Sequence, residues 1–95
     1  MSTVKGQAKR PKYVALRTRK VLAANILKRM ELRYKGVGDK FSALKEDAGT
    51  SLSTVQRATN PNSENGISID VLTQLAMGLR CEPWELLKPE PPPEA

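Results

Sequence analysis

In the stretch Phe41–Ala58, FSALKEDAGTSLSTVQRA, four side chains of different recognition chemistry share one prospective helical face: Leu52, Ser53, Gln56 and Arg57. The spacing of Val55 and Ala58 turns those two inward, so the four project outward. The planar fork of an arginine matches guanine, a glutamine amide pairs with adenine, and a leucine can touch a thymine methyl. Thr54 falls near the side along which a phosphate backbone would run. Lys40, the N-terminal backbone of the helix it opens, and Thr59, Asn60 and Asn62 in the following loop complete a set of phosphate donors. The chemistry these residues point to is noncovalent recognition of double-stranded DNA. For Arg57 a salt bridge or a phosphate contact stands beside base reading.

Other chemistries find few residues to use. The chain has no histidine, a single cysteine, Cys81, and no carboxylates at a spacing that suggests a catalytic pair. Zinc or iron would lack a ligand set, and the acids are too scattered for a calcium loop. The sequence therefore predicts a protein that is not an enzyme and has no cofactor, no metal and no small-molecule substrate. Cys81 reads as a small buried hydrophobe. Gly36-Val37-Gly38 lacks the second half of any phosphate-loop signature, and no strand precedes it. No apolar run is long enough for a membrane span.

The net charge of +6 is unevenly distributed. Residues 1–35 carry eleven basic residues against Glu31, a balance of +10, while residues 36–95 carry −4. Polyanion affinity is thus a property of the first third of the chain. The prospective reading unit from Asp39 to Asn60 is itself neutral.

These residues must be positioned by helices. Aromatic residues are scarce, and β-branched residues never alternate, so the expected class is all-α, a compact bundle of about five short helices around a central helix-turn-helix. Residues 1–16, with Gly6, Pro11 and the cations Lys5, Lys9, Arg10 and Lys12, read as a flexible, disordered basic arm. The folded domain is expected over 17–88. Val21, Leu22, Ile26, Leu27 and Met30 define helix 1 over about 18–34, and Arg17, Arg19 and Lys20 join the basic track. Asp39 is placed to cap helix 2. Gly49 suits a left-handed exit from it, and Ser51 suits the cap of helix 3, bonding the backbone of Ser53 or Thr54. A turn-rich loop follows from Thr59 to Gly66. Ser68 caps helix 4, whose buried stripe is Leu72, Leu75, Ala76 and Leu79, with Ile67 stapling onto Leu72. Pro83 opens helix 5, which turns Leu86 and Leu87 to the core. Residues 89–95 form a Pro-rich tail.

Leu44, three residues, Ala48-Gly49-Thr50-Ser51-Leu52-Ser53-Thr54-Val55-Gln56-Arg57 resembles the lambda-repressor-like helix-turn-helix proteins of the Cro and XRE type. A second stretch, DVLTQLAMGLRCEPWELL from Asp70 to Leu87, is similar to the closing segment of that family. The resemblance covers about residues 20–87. It implies a sequence-specific DNA-binding transcriptional regulator, most simply a Cro-like or XRE-type repressor, with base contacts at Leu52, Ser53, Gln56 and Arg57. It also implies a homodimer on near-palindromic sites and a cytoplasmic, nucleoid-associated protein encoded by a bacterium or phage. Trp84, at the second position of helix 5, is a dimer contact if exposed and otherwise covers the edge of the core. Several positions depart from the family pattern. Phe41 stands where a phosphate-holding glutamine is common, and Lys45 where alanine lets helices 2 and 3 approach, so that the lysine must snorkel or the helices part. Arg80 replaces a glycine after helix 4, suggesting a different exit. Two other readings remain open: an antitoxin or adaptor whose main partner is a protein, and a nonspecific nucleic-acid binder acting through residues 1–35.

Overall fold

The computed structural model describes the backbone of residues 2–63 and 66–89, with side chains from Arg17 onward. Residues 64–65 of the turn-rich loop, residues 90–95 of the Pro-rich tail and the side chains of Lys5, Lys9, Arg10 and Lys12 lie outside the described residues. Five α-helices and no strand are found among the described residues: α1 Ser2–Arg33, α2 Lys40–Ala48, α3 Leu52–Ala58, α4 Ile69–Leu79 and α5 Pro83–Leu87. The expected all-α bundle is the observed one. Among the described residues no helix is long and apolar enough to cross a membrane.

The α1 backbone runs for 32 residues from Ser2, and the side chains it packs into the core begin at Leu22. Packing of its second half supplies the costly nucleus, after which each upstream residue adds one hydrogen bond.

Leu22, Ile26 and Met30 of α1 enter the core beside Leu44, Val55, Leu72, Leu75, Leu79 and Leu86, and Tyr34 closes it just past the helix end. Val21 is half-buried and Leu27 exposed, so the buried stripe of α1 is narrower than its apolar content suggests. Of the two leucines ending α5 only Leu86 is buried. Leu87 is exposed, because a helix of five residues spans little more than one turn and cannot aim two consecutive side chains at the same core.

Local signals set the ends of the middle helices. Asp39 accepts from the Ser42 amide at 3.1 Å and from its hydroxyl at 2.8 Å. Gly49 closes α2 with φ 68° and ψ 37°, its amide donating to the Glu46 carbonyl while the Thr50 amide donates to Lys45, the paired bonds of a Schellman turn. Ser51 accepts from the Thr54 amide at 3.2 Å. Ser68 does the same for Val71 at 3.1 Å. Arg80 leaves α4 in the left-handed conformation, φ 61° and ψ 47°, with the Cys81 amide donating to Ala76 and the Arg80 amide to Met77. The exit from α4 is therefore the same turn a glycine would make, not the different one its side chain suggested.

Long-range side-chain ties bind α1 to the rest, two of them near its C-terminal half. The buried Asn25 amide donates from Nδ2 to the carbonyls of Leu86 and Lys88, each at 2.8 Å, satisfying orphan acceptors at the end of α5. At the other tie, Arg33 Nη2 and the Tyr34 hydroxyl both donate to Asp47 Oδ2, at 3.0 and 2.6 Å. Nothing in the reading of the sequence singled out either. The available signal for Asn25 was its place as a polar residue inside the apolar stripe of Leu22 and Ile26.

Candidate nucleic-acid interface

The reading unit is built from α2, the turn Gly49-Thr50-Ser51, and α3. Val55 and Ala58 are buried, so the opposite face of α3 points to solvent with Leu52, Ser53 and Gln56 all exposed. Arg57 sits half-buried at the edge of that face and forms no ion pair with any described carboxylate. The salt-bridge reading of Arg57 therefore finds no partner among the described residues. Ser53 shares a hydrogen bond with the Ser51 hydroxyl at 3.1 Å, and Thr54 shares one at 2.8 Å, which fixes both side chains around the N-terminus of α3.

The phosphate set is only partly presented. Asn60 and Asn62 are exposed, and the Asn60 side-chain Oδ1 accepts from the Asn62 backbone N–H at 2.9 Å, which orders this loop. Lys40 donates to the Val37 carbonyl at 3.3 Å from the start of α2. Thr59 is a correction: it is buried, and its hydroxyl donates to the Val55 and Gln56 carbonyls at 2.9 and 3.2 Å. It closes the last turn of α3 and does not offer its O–H to a phosphate, because the helix end itself needs those bonds.

Phe41 packs against the core. Lys45 snorkels: its stem is half-buried while Nζ reaches Glu46 Oε2 at 3.3 Å, and α2 and α3 remain in contact. Cys81 is half-buried against the core, and burial pushes its thiol pKa up.

Among the basic residues with described side chains, Arg17 and Lys20 are exposed. Arg19 turns toward the α3–α4 loop, where Nη1 donates to the Ser63 carbonyl at 2.6 Å. Arg19, Arg57 and Asn60 line one small cavity of about 30 Å³, which brings the basic side of α1 to the C-terminal end of α3. Sequence spacing had placed Arg19 on a separate track. Trp84 is exposed, with Lys88 Nζ 5.3 Å from its ring centroid, and it does not cover the core.

No family model matches the chain, and no curated protein and no solved structure matches it either.

Proposed function

We propose that this protein is a sequence-specific DNA-binding regulator that lays α3 into the major groove. One observation carries the reading: a glycine-turned pair of helices presents Leu52, Ser53 and Gln56 to solvent, flanked at the C-terminal end by Arg57, Arg19 and Asn60 around one cavity. Exposed amide, hydroxyl and apolar side chains on a short rigid helix suit base edges, and adjacent guanidiniums suit phosphates. The neutral unit supplies register and specificity, while the basic first third supplies most of the affinity. A repressor of the Cro or XRE type, acting as a homodimer in a bacterial or phage setting, is the simplest form of this proposal.

Selection of bound sequences from random duplex DNA tests it, and one enriched motif is expected. Arg57→Ala should then cost about 1–3 kcal/mol of binding, relaxing one position of the motif if Arg57 reads a base and weakening all sequences alike if it holds a phosphate. Equal binding to every duplex would remove the specific reading and leave the nonspecific one, carried by residues 1–35. In either case log affinity should fall with log salt by about 0.9 per neutralised phosphate.

A further inference from the structure

A second basic surface lies at the other end of α1, away from the α3 face. Arg29 is ten residues beyond Arg19, about 15 Å along the helix axis. Here α1 faces α5 across a cleft of about 350 Å³ lined by Asn25, Lys28, Arg29 and Leu32 on one side and Glu85 and Lys88 on the other. A second hollow of about 290 Å³, lined by Arg29, Leu32, Arg33 and Leu79, shares its central residues with the first. The two form one groove along the outer side of α1.

The middle of this groove holds an exposed leucine among cations. Leu32 is 71 % exposed, on a helix whose inward face is already filled by Ile26 and Met30. Lys28, Arg29, Arg33 and Lys88 line the two hollows around it; Arg29 pairs with Glu85 at 4.0 Å, and Lys28 has interactions of its own. Arg33 pairs with Asp47 at 3.0 Å. The floor does not yield easily, because Asn25 holds the end of α5 through two bonds of 2.8 Å.

We propose that this groove is the docking site for an acidic amphipathic segment of a protein partner, with carboxylates flanking one or two bulky apolar side chains. The charge is complementary to such a segment, and Leu32 with Leu79 gives its apolar residues a place to bury. A phosphate backbone fits less well, since it would leave Leu32 uncovered. The groove does not depend on the DNA reading, and the contacts of α1 with α5 and with the end of α2 place it apart from α3.

The probe is a synthetic helical peptide with leucines on one face flanked by glutamates. Two controls replace its glutamates by lysines or its leucines by serines. Trp84, the single tryptophan, contacts Lys88 on the groove wall, so its emission reports binding, and backbone amide shifts locate it. Saturable binding of the Leu/Glu peptide alone is expected, with shifts confined to the second half of α1 and to α5. Leu32→Ser should weaken it by about tenfold and Arg29→Glu by more, while duplex binding is unchanged by Leu32→Ser. Both positions are on the surface, and thermal unfolding of each variant checks that the fold is intact. Equal binding of the serine control, an unaffected Leu32→Ser variant, or shifts centred on α3 would each overturn the proposal. So would duplex DNA shifting the groove amides as strongly as the peptide.

Discussion

The α2–α3 and α4–α5 corners are the same construction with opposite surfaces. In each, a helix ends in a left-handed Schellman turn, three residues pass, and a short helix starts: Gly49-Thr50-Ser51 in one and Arg80-Cys81-Glu82 in the other. The first new helix is capped by the Ser51 hydroxyl, and in the second the Glu85 carboxylate accepts from the Glu82 amide at 2.9 Å. Outward, however, the first corner shows Ser53, Gln56 and Arg57, while the second shows Met77 at 70 % exposure and Trp84 at 58 %. The same backbone geometry thus carries two different outer faces. The side chains on the outer face decide what the corner can touch.

The largest expected effect tests how closely the two corners lean on each other. A Cβ at Gly78 would stand 2.9 Å from the Ala48 backbone nitrogen and 3.0 Å from its Cα, so α4 meets the end of α2 at a position where only glycine fits. Helix propensity alone predicts that Gly78→Ala stabilises by about 1 kcal/mol. The close approach predicts the reverse, a net loss of about 1–2 kcal/mol for Ala and about 3 kcal/mol or more for Leu, since the obstacle is backbone and cannot rotate aside. Urea unfolding distinguishes the two, and a stabilised Gly78→Ala variant would break the picture of two interlocked corners.

That contact also marks what the sequence could not reveal. The caps at Asp39, Ser51 and Ser68 and the glycine exit at Gly49 were legible because their partners lie within four residues. So were the buried Leu44, Val55, Leu72 and Leu75, and with Val55 placed inward the exposure of Leu52, Ser53 and Gln56 followed. Asn25 was not legible, because its acceptors at Leu86 and Lys88 lie 61 and 63 residues away. Thr59 was misplaced for a related reason: its hydroxyl, expected at a phosphate, finishes α3. Polar side chains that serve backbone groups look, in a sequence, like polar side chains that serve a ligand.

Next in size is a reciprocal pair of substitutions at the two left-handed exits. Gly49 meets nothing within 4 Å of an added Cβ, so Gly49→Ala is opposed by its φ of 68° alone and should lose about 1 kcal/mol. Arg80 already carries that strain at φ 61°, and Arg80→Gly should recover about 0.5–1 kcal/mol, with the greater freedom of glycine in the unfolded chain offsetting part of the gain. Opposite signs from the same change in side chain would sharpen the equivalence of the corners. If both substitutions destabilise, Arg80 is held by something other than the turn.

The smallest effect concerns how each corner is tied to α1. The α2–α3 corner is tied through a charge: Asp47 accepts from Tyr34 and Arg33, and these bonds, the Tyr34 bond first, hold its carboxyl below the usual carboxylate range. Burial, then the bond to Asp47, pushes the Tyr34 hydroxyl above the usual phenol range. The α4–α5 corner is tied through the Asn25 amide, which does not titrate. A carboxyl depressed in the folded state contributes its stability fully above the pH where an unfolded aspartate titrates, and loses it as pH falls through the folded value. A phenol raised in the folded state contributes below the pH where an unfolded tyrosine titrates, and loses that as pH rises through the folded value. Wild type minus Asp47→Asn should therefore show a stability difference that is flat near neutrality and shrinks in acid. Asp39, also held low by its Ser42 bonds, is present in both proteins and cancels. Tyr34→Phe should remove its share of the alkaline decline and leave the part due to the raised Cys81 thiol, whereas Asn25→Ala should lower stability by the same amount at every pH. Urea midpoints across the pH range supply the comparison, and a pH-dependent Asn25→Ala difference would mean that the two ties are not separate.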